Sequence, residues 1–206
     1  MHKNTLTKVI ALASVVCFQH VQAALLTVKL PSNSVNFTTT VNSLFDAKIF
    51  IEDISNLGGF DFSLTFNSAK LFAESFESAS IFGDADNTLI IANTISSGVA
   101  RLAEAIKGSS PLHPEGLKIT APMLLGTVHF KALSPVAFSP IDFSVNNDTP
   151  ILSDFDGNSV AGSKQNASVT INPVAAVPLP AAILSFVPGL FAVFGFAKRK
   201  VRKVLS

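Results

Sequence analysis

Phe60-Asp61-Phe62-Ser63-Leu64-Thr65-Phe66-Asn67 alternates without interruption between apolar and polar side chains. Successive side chains of a strand point to opposite faces. Phe60, Phe62, Leu64 and Phe66 therefore share one face, and Asp61, Ser63, Thr65 and Asn67 the other. A helix would scatter the four apolar residues around its circumference. The segment reads as a strand with one buried face, and that face needs a second layer to cover it. Gly58-Gly59, just before it, reads as a turn.

The pattern recurs along the chain. In "GTVHFKAL", Val128 and Phe130 face inward while Thr127, His129 and Lys131 face outward; in "IDFSV", Ile141, Phe143 and Val145 face inward. "LLTVKL", "FDAKIFIEDI" and "ASVTI" read as three more strands. Val99 to Lys107, "VARLAEAIK", is rich in helix formers, and Val99, Leu102 and Ile106 fit a helical face. Its neighbours are strands, and it is read as a strand too. "GSSPLHPEG" after it holds two prolines and two glycines and is a loop. Short strands separated by turn signals predict an all-β sandwich or barrel.

The two ends of the chain break this pattern. Lys3 and Lys8 precede the apolar run Val9–Phe18, and Val21 and Ala23 occupy the −3 and −1 positions of a cut between Ala23 and Ala24. Basic, apolar and small residues in that order form a secretory signal peptide. The lone Cys17 lies inside it, so the mature chain has no cysteine and no disulfide. At the other end Ala181 to Ala197 carries no charge, and Lys198, Arg199, Lys200, Arg202 and Lys203 follow. Those residues would span about 25 Å as a helix, near the short limit for a bilayer core. Cations beside an apolar span stay on the cytoplasmic side, which places the domain outside and the tail inside.

Val177-Pro178-Leu179-Pro180, the apolar span with Gly189-Leu190 within it, and the basic cluster together resemble a PEP-CTERM protein-sorting tail. Leu179 stands where that family's name-giving pattern has Glu. The resemblance implies recognition by an exosortase-type processing enzyme in the inner membrane of a Gram-negative bacterium that makes exopolysaccharide. The chain would be anchored transiently, then displayed on the cell surface or released.

Between the ends lies one domain of about 150 residues. Residues 24–176 hold all 14 acidic residues and eight basic ones, a net charge of −6 hidden by the +1 of the whole chain. Nucleic-acid binding rests on basic patches and is not expected. The chain has 18 Phe but no Trp and no Tyr. Phe carries no polar handle, so these rings are expected in the core.

"FDAKIFIEDISNLGGFDFSLTFN", "LLGTVHFKAL" and "LSDFDGNSV" resemble, in order, three landmarks of the cohesin-like β-sandwich. That family has a nine-stranded jelly-roll type fold, and cohesins of cellulose-degrading assemblies bind dockerin modules. The expected organisation is residues 1–23 as signal peptide, 24–171 as the cohesin-like jelly-roll sandwich that this resemblance implies, 172–176 as linker and 177–206 as the sorting tail.

Few residues suggest chemistry. Asp154-Phe155-Asp156-Gly157-Asn158 starts like a calcium loop, but Ser159 and Gln165 stand where such a loop needs Gly and Glu. It reads as a turn, with Asp-Gly supplying the bend. Gly83-Asp84-Ala85-Asp86-Asn87 reads as a polar loop rather than a metal site. His113 lies between prolines and His129 on an outward strand face, and neither has a partner readable from sequence. G-x-S-x-G, H-E-x-x-H and glycine-rich phosphate loops are absent. Asn36, Asn147 and Asn166 match N-x-[ST], which in a bacterial chain are chance matches. No catalytic residue, cofactor or metal is expected. The expected function is an exported, non-enzymatic interaction or structural protein of the envelope or matrix, with a dockerin-like or polysaccharide partner. The alternative is a carbohydrate-binding module, which usually stacks sugars on Trp or Tyr.

Overall fold

The computed structural model describes residues 23–108, 110–144 and 151–175. The strands are β1 (Ala24–Lys29), β2 (Asn36–Thr40), β3 (Leu44–Glu52), β4 (Ile54–Phe66), β5 (Leu71–Ser78), β6 (Thr88–Ser96), β7 (Val99–Ile106), β8 (Leu117–Ile119), β9 (Met123–Ala132), β10 (Val136–Phe143), β11 (Ile151–Asp154), β12 (Ser159–Val160), β13 (Gly162–Gln165) and β14 (Ala167–Asn172). The sole helical piece among the described residues is a 3-10 turn, Pro31–Asn33. The strands belong to one compact unit that ends at Asn172.

Two sheets form. The smaller runs β13-β1-β3-β9-β5. The larger runs β12-β11-β4-β10-β14-β2, with β7 also on β4, β6 on β7, and β8 on β4. Most neighbours are antiparallel; β1 with β13 and β14 with β2 are parallel. The chain crosses between sheets at Asp53, whose φ of 60° separates β3 from β4. Asp tolerates this left-handed conformation better than most residues do. "FDAKIFIEDI" is thus not one strand: Ile54 opens the next strand, in the other sheet.

The alternating apolar face packs as the period predicts. Phe60, Phe62, Leu64 and Phe66 are all buried. One string of rings runs Phe37, Phe45, Phe130, Phe66, with centroids 5.5, 5.6 and 5.0 Å apart. The last step joins β9 to β4 and so links the two sheets. A second string, Phe82, Phe60, Phe62, Phe143, has steps of 5.8, 5.7 and 5.8 Å. Phe76 on β5 meets Phe62 from the smaller sheet at 6.1 Å. Phe72 and Phe138 do not follow the expectation for Phe: they are 54% and 65% exposed.

Gly58-Gly59 is not a turn. Both residues lie inside β4. A Cβ on Gly58 would collide with the Asp154 carbonyl oxygen and lie 2.6 Å from Phe155 Cα. The pairing of β4 with β11 shifts register between Ser153 and Asp154. The glycine is there so that two backbones can approach, a role that looks the same in sequence as a turn. Val99 to Ile106 is a strand, but its buried residues are Ala100, Leu102, Ala103 and Glu104 rather than a helical set.

Candidate interaction surface

The register of the larger sheet arranges an outward face around β4. Asp61 lies opposite Ala103, Ser63 opposite Arg101 and Thr65 opposite Val99 of β7. Thr94 of β6 continues the Arg101 row, and Asp142 of β10 lies opposite Thr65. These positions follow from the same period that turns the β4 apolar residues inward. Arg101 is the one basic residue in β4, β6, β7 and β10. Its Nε donates to Asp61 Oδ1 at 2.9 Å, and Nη2 to Asp61 Oδ2 at 2.6 Å. The hydrogen bond and the charge of Asp61 raise the guanidinium pKa further. Around β4 and β7 the outward positions are small-chained and polar, with a forked ion pair at their centre, while β6 and β10 also carry exposed apolar side chains, among them Leu89, Ile90 and Phe138.

The smaller sheet presents His129 on its outward face, as expected for this residue. Its Nδ1 lies 2.7 Å from Asp46 Oδ1 on β3, and Nε2 lies 3.5 Å from Glu77 Oε2 on β5. Burial opposes the imidazolium, but the hydrogen bond and charge of Asp46, joined by those of Glu77, outweigh it and raise the His129 pKa. Asp46 also lines a cleft of about 370 Å³ with Leu30, Ser32, Asn33, Leu44 and Lys48. Ser32 and Asn33 are both left-handed there.

Asp154 is the last residue of β11 and opens the turn to β12. Its Oδ1 accepts from the Asn158 amide at 2.7 Å and its Oδ2 from Asn158 Nδ2 at 2.9 Å. Those bonds hold the carboxyl below its usual pKa. Asp84 is spent in the same way, accepting from the Asp86 amide and from Asn87 Nδ2. Among the described residues no cluster of three or more His, Cys, Asp or Glu is placed to hold a metal. Asn36 accepts from Ser168 Oγ, and Asn166 accepts from the Phe143 amide; Asn147 lies outside the described residues.

His113 lies in its loop. Ala23 immediately precedes β1, and Ala24 is its first residue, fully buried, with its amide on the Ala161 carbonyl at 3.2 Å. Val177, Pro178, Leu179 and Pro180, with Lys198, Arg199, Lys200, Arg202 and Lys203, lie outside the described residues. Among the described residues no helix is long and apolar enough to cross a membrane. Sequence reading missed Arg101 with Asp61 and His129 with Asp46. Each pair is joined by strand register across 40 and 83 residues.

Solved structures share this arrangement of strands. A type II cohesin domain from the cellulosome of Acetivibrio cellulolyticus matches 71% of the chain and 95% of its own, at 18% identity and a TM-score of 0.60. The fold is cohesin-like. A type I cohesin–dockerin complex from Clostridium thermocellum matches 74% of this chain and 96% of that chain, at 15% identity and a TM-score of 0.57. A non-cellulosomal cohesin from the archaeon Archaeoglobus fulgidus matches 73% and 91%, at 15% identity and 0.54. No protein-family model matches the cohesin-like chain, and no curated protein does. Identities this low carry the fold and not a binding partner.

Proposed function

We propose that this chain is an exported, non-enzymatic interaction module that binds another protein through the outward face of β4, β7, β6 and β10. The observation that carries the reading is a cohesin-like sandwich whose larger sheet presents the Arg101–Asp61 pair among small polar residues of β4, with exposed apolar side chains on β6 and β10 beside it. The cohesin in one similar structure is bound to a dockerin, so a dockerin-like module is the first partner to test. A polysaccharide has less support: among the described residues the exposed aromatics are Phe72 and Phe138, in different sheets. The test is quantitative capture from the extracellular fraction. Ser63→Arg, which crowds the face, should lose the partner, while Lys48→Glu on the smaller sheet should keep it. Equal capture by both variants rejects the face.

Delivery rests on the sequence. The order signal peptide, Val177-Pro178-Leu179-Pro180, apolar span and five cations supports sorting through a PEP-CTERM-type tail, with an exosortase-type enzyme as processing partner. The inner membrane is then a transient anchor, and the domain's destination is the cell surface or an exopolysaccharide-rich matrix. Pro178 and Pro180 keep the chain extended and remove two backbone donors, which suits recognition by an enzyme better than a helix would. Mass spectrometry of the mature protein should find a C-terminus near Pro180. Retention of "KRKVRK" on protein outside the cell rejects the sorting role.

A further inference from the structure

Strand β6 is bonded to β7 on one side, and among the described residues no strand pairs with its other side. In an antiparallel pair alternate residues aim their N–H and C=O groups away from the partner, so that side is a row of donors and acceptors with no strand partner among the described residues. Its sequence, TLIIANTIS, contains no charged residue, no proline and no glycine. Leu89, Ile90, Ile91 and Ile95 are 51%, 61%, 58% and 37% exposed. The edge carries one protective device, a bulge between Ile90 and Ala92. The other edges are guarded or short. β5 carries Glu74 and Glu77, β13 carries Lys164, and β2 has five residues, three of them Thr.

We infer that β6 is a self-association edge, through which two copies of this chain pair antiparallel and join their larger sheets into one. The occupant must be extended, apolar and uncharged, and β6 itself meets all three conditions. Charge makes the same choice. Residues 24–176 carry 14 acidic groups against eight basic ones, so two copies repel except where the contact is neutral. β6 is neutral, and the nearby Arg101 is already matched by Asp61. Antiparallel pairing of a strand with its own copy is two-fold symmetric. Centred on Ala92, it sets Leu89 opposite Ile95 of the second copy. It consumes the free edge of both copies, so the assembly closes at two. One strand edge, about 30 Å long at ~3.4 Å per residue, gives less contact than a standard interface of about 800 Å² per partner. The dimer is therefore reversible and concentration-dependent.

The experiment is sedimentation of the full chain in a neutral detergent over a wide concentration range, with amide exchange on the same samples. The expected result is a monomer–dimer equilibrium in which β6 amides gain protection as dimer forms. Ile91→Lys should weaken it at least about tenfold, and Phe138→Lys, an equally exposed apolar site elsewhere, should leave it unchanged. A chain that is monomeric at every concentration overturns the inference. So does a dimer that survives Ile91→Lys, or one that Phe138→Lys weakens equally. Protection in a monomer of the β6 amides that aim away from β7 also overturns it, in favour of a segment of the same chain as the occupant.

Discussion

Phe62 and Phe143 meet edge to face, with centroids 5.8 Å apart and ring planes at 77°. They lie on β4 and β10, two residues out of direct register and on the same face, since Phe143 pairs with Leu64. Phe62 also touches Phe60 and Phe76, so it anchors both its own sheet and the contact with the other. Phe62→Ala should cost about 3–5 kcal/mol. Ser63→Ala, one residue along on the outward face, should stay within about 0.5 kcal/mol. Urea unfolding of the purified domain measures both, and similar losses at the two positions would mean that the faces are misassigned.

Glu104 is a carboxyl inside a Phe-rich core. It is 1% exposed, pairs with Phe60 across the β4–β7 ladder, and its Oε2 has no hydrogen-bond partner. Burial raises its pKa, partly offset by the Ser78 hydroxyl. A raised pKa means that the native state binds this proton more tightly than the unfolded chain does. The stabilisation is therefore complete below the unfolded value of about 4.3 and is lost as pH rises through the folded value. Glu104→Gln removes the ionisation and keeps the shape. It should be more stable than wild type by about 1–3 kcal/mol at neutral pH and should lose that advantage near pH 4. A gap that does not change with pH would show that ionisation of Glu104 is not its source.

His129 gives a pH dependence of the same sign for a different reason. Its pKa is raised because Asp46 and Glu77 favour the imidazolium more than burial disfavours it. That stabilisation is fully present below about pH 6.5 and fades as pH rises through the higher folded value. Asp46 and Glu77 are 48% and 71% exposed, so water screens the effect, and about 1 kcal/mol is its ceiling. Asp46→Asn should melt below wild type at pH 5.5 and close to it at pH 9. Melting curves across that range test it; a difference that widens with pH would be the wrong sign.

The Asp154 turn should bind no calcium at micromolar concentration. Both carboxylate oxygens already accept bonds from Asn158. Calorimetry should show the same absence of heat for wild type and for Asp154→Ala combined with Asp156→Ala. Micromolar binding lost only in the double variant would reverse the assignment.

Alternation over the eight residues Phe60–Asn67, seven of them in β4, was enough to choose the inward face, because a strand's period is a local property of the backbone. The Asp154 turn was legible for the same reason: Asp-Gly sets its own bend. The Gly58-Gly59 pair was misread because a missing Cβ serves a turn and a close backbone approach alike, and the approaching strand is almost a hundred residues away. Glu104 made β7 look unlike a strand, because the alternation cannot anticipate a carboxyl on the buried face. Which sheet covers it, which aspartate meets Arg101, and which carboxylates flank His129 depend on register between distant strands. Register is decided by packing one whole apolar face against another, so these contacts exist only once the two sheets have closed.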